Sequence, residues 1–228
     1  MRVNGVSALV VHVQPYRETS SLVRLFTSRY GMLAGIARGI RRARRGGSAI
    51  LQPFNQITTG WSGQGALLTL TSVELESARQ LPESSLPAGF YVLELLVRLL
   101  HEHDPHPRLF EFICVLLDQF ALGVSASPLL RRFEKELLLE TGFGVSMDVD
   151  ASGAPVEASQ RYRLQADEGL IVDAAGPYAG ADLLAIAADE YTDAQVRRTA
   201  RLVFRALIDE HLGGRPLASR SLLPVKRS

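Results

Sequence analysis

Five arginines fall within eight residues of this sequence, in Arg38-Gly39-Ile40-Arg41-Arg42-Ala43-Arg44-Arg45, and Gly46-Gly47 follow. A guanidinium is a planar fork that pairs bidentately with phosphate. On a glycine-flanked loop between two predicted strands, such a run conforms to a flexible polyanionic backbone. Each phosphate it neutralises releases counterions, which supplies affinity without sequence preference. The plainer alternative is a solvated loop, but five like charges with no acid among them repel one another and gain from a polyanionic partner. Tyr16, Tyr30, Phe54 and Trp61 lie at predicted strand ends or turns around this loop. Exposed rings there stack the bases of a single strand, at about 1 to 3 kcal/mol per base; the alternative is that they pack a barrel core or corner, and Phe54 is assigned to the core. The candidate nucleic-acid-binding set is therefore Arg38, Arg41, Arg42, Arg44 and Arg45 with Tyr16, Tyr30 and Trp61.

Two further clusters invite a chemical reading. Arg131, Arg132 and Lys135 alternate with apolar Leu130, Phe133, Leu137 and Leu138, a basic rim beside a hydrophobic groove that suits an acidic peptide with an apolar tip. The alternative is a solvated face with Arg132 and Glu136 paired four residues apart. His101, His103 and His106 lie among Glu102 and Asp104 and superficially resemble metal ligands, yet histidine near a helix C-terminus is favourable without metal. Phosphate-loop, dinucleotide, nucleophile-elbow and zinc-protease signatures are all missing, so the reading is a binding protein, not an enzyme, with no cofactor. Cys114 is the single cysteine. It excludes an intramolecular disulfide or a cysteine-rich zinc finger and reads as a small buried residue in a helix.

These residues need a scaffold to hold them. With 228 residues, 46% hydrophobic and 21% charged, the chain has globular composition. Its net charge of +1 conceals a segregation: residues 1–80 hold ten Arg against three Glu, a net +7, while the remainder holds 15 basic and 21 acidic residues, a net −6. Such asymmetry points to a polyanion-binding first part. Period-two alternation recurs at Val6–Val13, Ser21–Thr27, Gly31–Arg38, Pro53–Trp61 and Ala66–Glu76, with Gly- and Pro-bearing turns between, as in a small closed or partly open barrel. A Pro/Ser-containing linker, Leu81–Pro87, follows, and the period then becomes helical over Phe90–His101 and Leu109–Leu122, the second apolar nearly all round. A third helix is expected with Ser127 as N-cap, Pro128 at its first position and Gly142 closing it. Residues 144–180 read as a loop-rich insert with short strands at Tyr162–Leu164 and Leu170–Val172, followed by helices over Ala181–Ala188 and Asp193–Leu212. The expected fold class is α+β, strands then helices, with domains 1–80 and 81–228. The longest apolar stretch, Leu93–Leu100, is broken by Glu94 and Arg98, so no membrane span is expected. The N-terminal residues show neither a signal nor a transit character, and a cytoplasmic location is expected.

The chain resembles the RecO family of DNA repair proteins over nearly its full length. The resemblance is carried by Val11-His12-Val13-Gln14-Pro15-Tyr16-Arg17-Glu18-Thr19-Ser20-Ser21, Phe26-Thr27, Gly31-Met32-Leu33, Ala37-Arg38-Gly39-Ile40-Arg41 and Leu51-Gln52-Pro53-Phe54. In the helical part it continues through Leu130-Arg131-Arg132-Phe133-Glu134, Gly142-Phe143-Gly144 and Leu212-Gly213-Gly214-Arg215-Pro216-Leu217-Ala218-Ser219-Arg220. It implies an N-terminal five-stranded OB-fold that binds single- and double-stranded DNA and anneals complementary strands. It also implies work with a RecR partner in the RecFOR pathway, loading RecA recombinase onto single strands coated by single-stranded DNA-binding protein (SSB), in the cytoplasm and at the nucleoid. Contact with the acidic C-terminal tail of SSB is implied for the helical domain, where Arg131 is the leading candidate. Many family members hold zinc with four cysteines in the loop-rich region; residues 144–180 have none, so the chain resembles a zinc-free branch, its insert packed by Tyr162, Leu164, Ile171 and Val172.

Two other readings stay open. In one, the chain is chiefly an adaptor that binds acidic peptides through its helical domain and touches DNA weakly. In the other, His101, His103 and His106 hold a hydrolytic metal.

Overall fold

The computed structural model describes residues 2–40, 47–165 and 168–223. Five strands come first: β1 (Arg2–Tyr16), β2 (Ser20–Thr27), β3 (Gly31–Ala37), β4 (Gln56–Ser62) and β5 (Leu68–Ser77), with a short helix α1 (Gly47–Ile50) between β3 and β4. Next come α2 (Leu86–Leu99), α3 (Pro107–Ala121) and α4 (Ala126–Glu140), then β6 (Arg161–Gln165), β7 (Gly169–Val172) and β8 (Tyr178–Ala179), then α5 (Gly180–Ala187) and α6 (Ala194–His211). The fold is α+β. It divides into two compact units, one of the described residues up to Val124 with those from Leu217 onward, the other Ser125–Pro216. The secondary structure changes character near residue 80, as the sequence indicates. By compactness, however, α2 and α3 group with the barrel.

The first unit is a closed barrel of order β1-β2-β3-β5-β4, with β4 returning to β1, the strand count of an OB barrel. β1 serves two neighbours: Arg2–Leu9 pair with β4 and Ala8–Tyr16 with β2. Its pairing slips between Val3 and Val6 on one side and between Val10 and His12 on the other. Such irregularities bend a strand and let a short sheet close, and Gly5 at φ +64° takes the first bend. Closure on the far side is a brief parallel contact, Gly35 opposite Leu68 and Ile36 opposite Thr69. Ala8, Val10, Val23, Leu25, Ala37, Leu51 and Ile57 fill one part of the interior; Val3, Val6, Leu33, Trp61 and Leu68 fill the other.

Alternation predicted strands buried on one face, but Ala8, Leu9, Val10 and Val11 are all buried. The helices supply the reason. α2 and α3 cover the outer face of β1 and β2, where Phe26 meets Phe110 at 5.6 Å between ring centroids. α3 in turn is one-sided, with Leu109, Phe110, Ile113, Leu116, Leu117 and Phe120 buried and Val115 and Leu122 exposed, instead of apolar all round. Cys114 is half-buried, and burial pushes its thiol up to about 11. β4 starts at Gln56, not Pro53, because Phe54 stands at φ +76° and its N–H turns aside to donate to the Val10 carbonyl at 3.0 Å. The Phe54 ring is buried against Phe90, 5.2 Å away.

One buried cation ties these parts together. The Arg79 side chain is 3% exposed and reaches Asp118 Oδ1 from Nε at 2.6 Å. Its Nη1 donates to the Phe54 carbonyl at 3.3 Å and Nη2 to Gln56 Oε1 at 3.0 Å. Its backbone N–H donates to Asn55 Oδ1 at 3.0 Å, while Asn55 Nδ2 donates to the Ala49 and Ile50 carbonyls. On α2, Glu94 accepts from the backbone N–H groups of Ala218 and Ser219 at 3.0 and 2.8 Å and from Ser219 Oγ. Burial alone would raise this carboxyl; the hydrogen bonds from Ser219 and Ala218 outweigh it and hold it below its ordinary value.

In the second unit α4 begins at Ala126 with Ser125 preceding it, so Ser127 is inside the helix and Pro128 is its third residue. The first four N–H groups of a helix have no intrahelical acceptor, so a proline there removes nothing the helix uses. Gly142 ends it at φ +78°, with the Phe143 N–H returned to the Leu138 carbonyl. The insert forms the sheet β7-β6-β8. Tyr162, Leu170 and Tyr178 are its buried residues, with Met147 and Val156 buried in the preceding loop, while Val172 is exposed and Leu164 and Ile171 are half-buried. The Tyr162 hydroxyl accepts from the Glu157 N–H at 2.8 Å. α6 is capped by Asp193, which accepts from the Gln195 N–H.

Replacing Arg79 by Met strands the Phe54 carbonyl and the Asn55–Gln56 turn, and urea unfolding is expected to show a loss of about 2 to 4 kcal/mol. Asp118→Asn, at a half-exposed partner, is expected to cost under about 1 kcal/mol. Because Glu94 titrates below its ordinary value of 4.5, its contribution is present above that pH and is lost as pH falls through the lower, folded value. The stability difference between wild type and Glu94→Gln is therefore expected to shrink as unfolding is followed from neutral pH to below pH 4.5, and a constant difference would exclude this linkage.

Candidate nucleic-acid interface

The basic loop leaves the barrel where β3 ends. Arg38 is exposed directly after Ala37, Gly39 turns the chain at φ +66°, and Ile40 packs back against the barrel interior. Arg41, Arg42, Arg44 and Arg45 lie outside the described residues. Strand register places Tyr16 at the same end, since Tyr16 pairs with Ser20 and the next residue, Ser21, pairs with Ala37. Tyr16 is half-buried, and the Arg17 guanidinium lies 5.2 Å from its ring centroid, a cation–π contact that leaves a charge and an aromatic ring side by side. Arg17 takes φ +53° in the β1–β2 turn. Tyr16, Arg17 and Arg38 thus share one end of the β1–β2–β3 meander.

Tyr30 and Trp61 are at the opposite end. Tyr30 sits in the β2–β3 turn, its N–H donating to Thr27 Oγ1 at 3.0 Å, while the Thr27 hydroxyl donates to the Gly31 carbonyl. Trp61 pairs with Val3 on one side and Leu70 on the other and is 4% exposed. The two rings meet edge to face, 5.2 Å apart at 88°. The sequence presents the aromatics as one set; the barrel separates them into two. Around the second set stand exposed cations that motif reading passed over, because they are scattered along the chain: Arg2 opposite Ser62, Arg29 beside Tyr30, and Arg24, whose Nη2 is 4.0 Å from Glu102 Oε1.

The histidine segment is used structurally. The His103 N–H donates to the Met32 carbonyl at 3.1 Å, Glu102 bridges to Met32, and His106 Nε2 lies 3.4 Å from Asp104. Among the described residues no three His, Cys, Asp or Glu side chains gather as a metal site requires, and no helix is long and apolar enough to cross a membrane.

The three basic residues of α4 have separate fates. Arg131, expected on an exposed rim, is buried at 6% and donates through Nη2 to Glu134 at 2.8 Å, while its Nη1 has no hydrogen-bond partner. Lys135 is spent at the end of α5, donating to the Ile186 and Ala187 carbonyls at 3.1 and 2.8 Å and to Asp189 at 2.7 Å, where a cation complements the helix C-terminus. Arg132 is exposed, 3.9 Å from Asp189 and not paired with Glu136 as one alternative had it.

Comparison with known proteins gives a consistent result. Residues 1–79 match the family model for the recombination protein O N terminal region, and residues 85–221 match the model for its C terminal region. The chain is 42% identical to the DNA repair protein RecO of Halorhodospira halophila, over 96% of this chain and 95% of that protein. It is 40% identical to that of Laribacter hongkongensis, over 97% and 94%, and 39% identical to that of Haemophilus influenzae strain Rd, over 93% and 92%. With two family models covering almost the whole sequence and relatives of this similarity along more than nine tenths of their length, the chain belongs to the RecO family of DNA repair proteins.

Proposed function

We propose that this chain is a recombination mediator that binds single- and double-stranded DNA through its barrel, anneals complementary strands, and with RecR loads RecA recombinase onto SSB-coated single strands. The observation that carries this reading is that Arg38, the first of five arginines within eight residues of sequence, lies at the end of the barrel that holds the Arg17–Tyr16 pair. Annealing then needs no bond made or broken. A cationic surface screens the repulsion between two strands and raises their local concentration. The protein works in the cytoplasm at the nucleoid, by binding and not by catalysis. The test is fluorescence anisotropy of a labelled single-stranded oligonucleotide at several salt concentrations. Wild type is expected to bind with a steep salt dependence. A variant with Arg38, Arg41, Arg42, Arg44 and Arg45 replaced by Ser is expected to lose affinity and to lower the salt slope by at most about 3.5, the value for five single-strand phosphate contacts. Unchanged affinity removes the loop as the DNA site.

A second contact, with the acidic SSB tail, is supported by a small groove of about 160 Å³ in the second unit, lined by Leu138, Leu139, Met147 and Phe204 with Lys135 at its edge. An apolar tip in that groove would leave the acidic part of a tail near exposed Arg132. The adaptor reading rests on the same groove. Arg132→Glu is expected to weaken tail-peptide binding without changing stability or DNA binding. Arg131→Met is expected to lower stability by about 3 kcal/mol, because it removes an ion-pair partner of a buried carboxylate. Urea unfolding beside peptide titration separates the two effects.

A further inference from the structure

We propose that the groove at the β4–β5 end of the barrel receives a single nucleobase of a bound DNA strand, with Tyr30 and Trp61 as its floor. This deepens the DNA-binding reading above and rests on it. The groove has a volume of about 540 Å³, ample for one base with part of its sugar. Its floor is aromatic and aliphatic, formed by Tyr30, Trp61, Leu33 and Leu68. The Tyr30 and Trp61 rings are locked edge to face, so a flat ligand would meet an apolar surface already in place.

Both walls are preset. One is the loop between α2 and α3, which brings Glu102 and His103. The His103 N–H bond to the Met32 carbonyl and the Met32–Glu102 bridge fix it on β3. Contact is so close that a Cβ on Gly31 would overlap the Asp104 carbonyl oxygen. The other wall is the β4–β5 turn, where Gly63 and Gly65 at φ +121° and +91° flank Gln64. Positive φ makes these positions glycine territory, and the missing side chains let a planar ring approach the backbone. Gln64 and His103 supply both donors and acceptors at the mouth, which suits any base edge.

The charge around the rim selects the occupant. Arg2, Arg24 and Arg29 are exposed around it, against the carboxylates of Glu102, which Arg24 faces at 4.0 Å, and of Asp104. A surplus of guanidinium around an aromatic floor fits a base carried on phosphates better than an aromatic side chain carried on a neutral or basic peptide.

Trp61 is the single tryptophan of the chain, so intrinsic tryptophan emission reports on this groove in the unmodified protein. The experiment titrates the full chain with short oligothymidylate and, separately, with an abasic oligonucleotide of equal length, following Trp61 emission and, with labelled strands, anisotropy. Both strands are expected to bind, and only the base-bearing one is expected to quench or shift the emission. Ala66→Phe, which fills the groove from an exposed position, is expected to abolish the emission change and to weaken oligothymidylate binding by about fivefold or more, with an unchanged melting temperature. Binding of both strands with identical emission overturns the pocket and leaves the mediator reading standing. No binding of either strand at low salt overturns both. Emission that responds to an aromatic-tipped acidic peptide but not to oligothymidylate assigns the groove to a protein and also overturns the proposal.

Discussion

A buried guanidinium holds the first unit together. Arg79 leaves the last barrel strand and meets, within one side chain, the turn that enters β4 and the carboxylate of Asp118 on α3. The ring contacts of Phe26 with Phe110 and of Phe54 with Phe90 are apolar and fix no unique arrangement, because hydrophobic burial is not directional, and the polar contacts of His103 with Met32 and of Glu102 with Arg24 belong to the loop between the two helices. The fork of five donors on Arg79 supplies the direction, and the shorter reach and single ammonium of a lysine would not reproduce it. This also revises the charge count. One of the ten arginines that make residues 1–80 basic is spent internally, on an acid drawn from the acidic part of the chain, so the outward field of the barrel is carried by the others.

Much of the architecture is legible in the sequence because it follows from periodicity. Five alternating runs and their Gly and Pro turns mark the five strands, and the change of period near residue 80 marks the first long helix. The misreadings share a cause. Alternation predicts Ala8–Val11 buried on one face, because it says nothing of what covers the other side of a strand. Ser127 reads as a cap because Pro128 follows it, but a helix accepts proline anywhere in its first turn. The division into units follows from which helices the barrel needs to cover Leu9 and Phe26, a tertiary matter that no linker composition encodes.

The candidate site is legible in part, for the same physical reason. Clustered charge is visible in one dimension, so the arginine loop stands out. The separation of Tyr16 from Tyr30 and Trp61, and the gathering of Arg2, Arg24 and Arg29, depend on strand register and do not. The basic residues of α4 show the converse. Three cations close together in sequence become a buried ion pair, a helix cap and one solvent-facing charge, because adjacent helical positions point about 100° apart and meet different neighbours. Charge density along a chain predicts function only where the backbone lets all the charges face one way.

The anchoring of Ala218 and Ser219 on Glu94 makes the first unit discontinuous in sequence: a segment near the chain's end completes a surface of α2. During synthesis the barrel strands and the first two long helices emerge well before that segment does. Until it arrives, the Glu94 carboxylate lacks those three hydrogen bonds and keeps Arg98 of its own helix, 3.9 Å away. The ribosome therefore delivers a barrel that can close early but an α2 surface that is finished only after Ser125–Pro216 have been made, so that completion of the first unit waits on the emergence of the second.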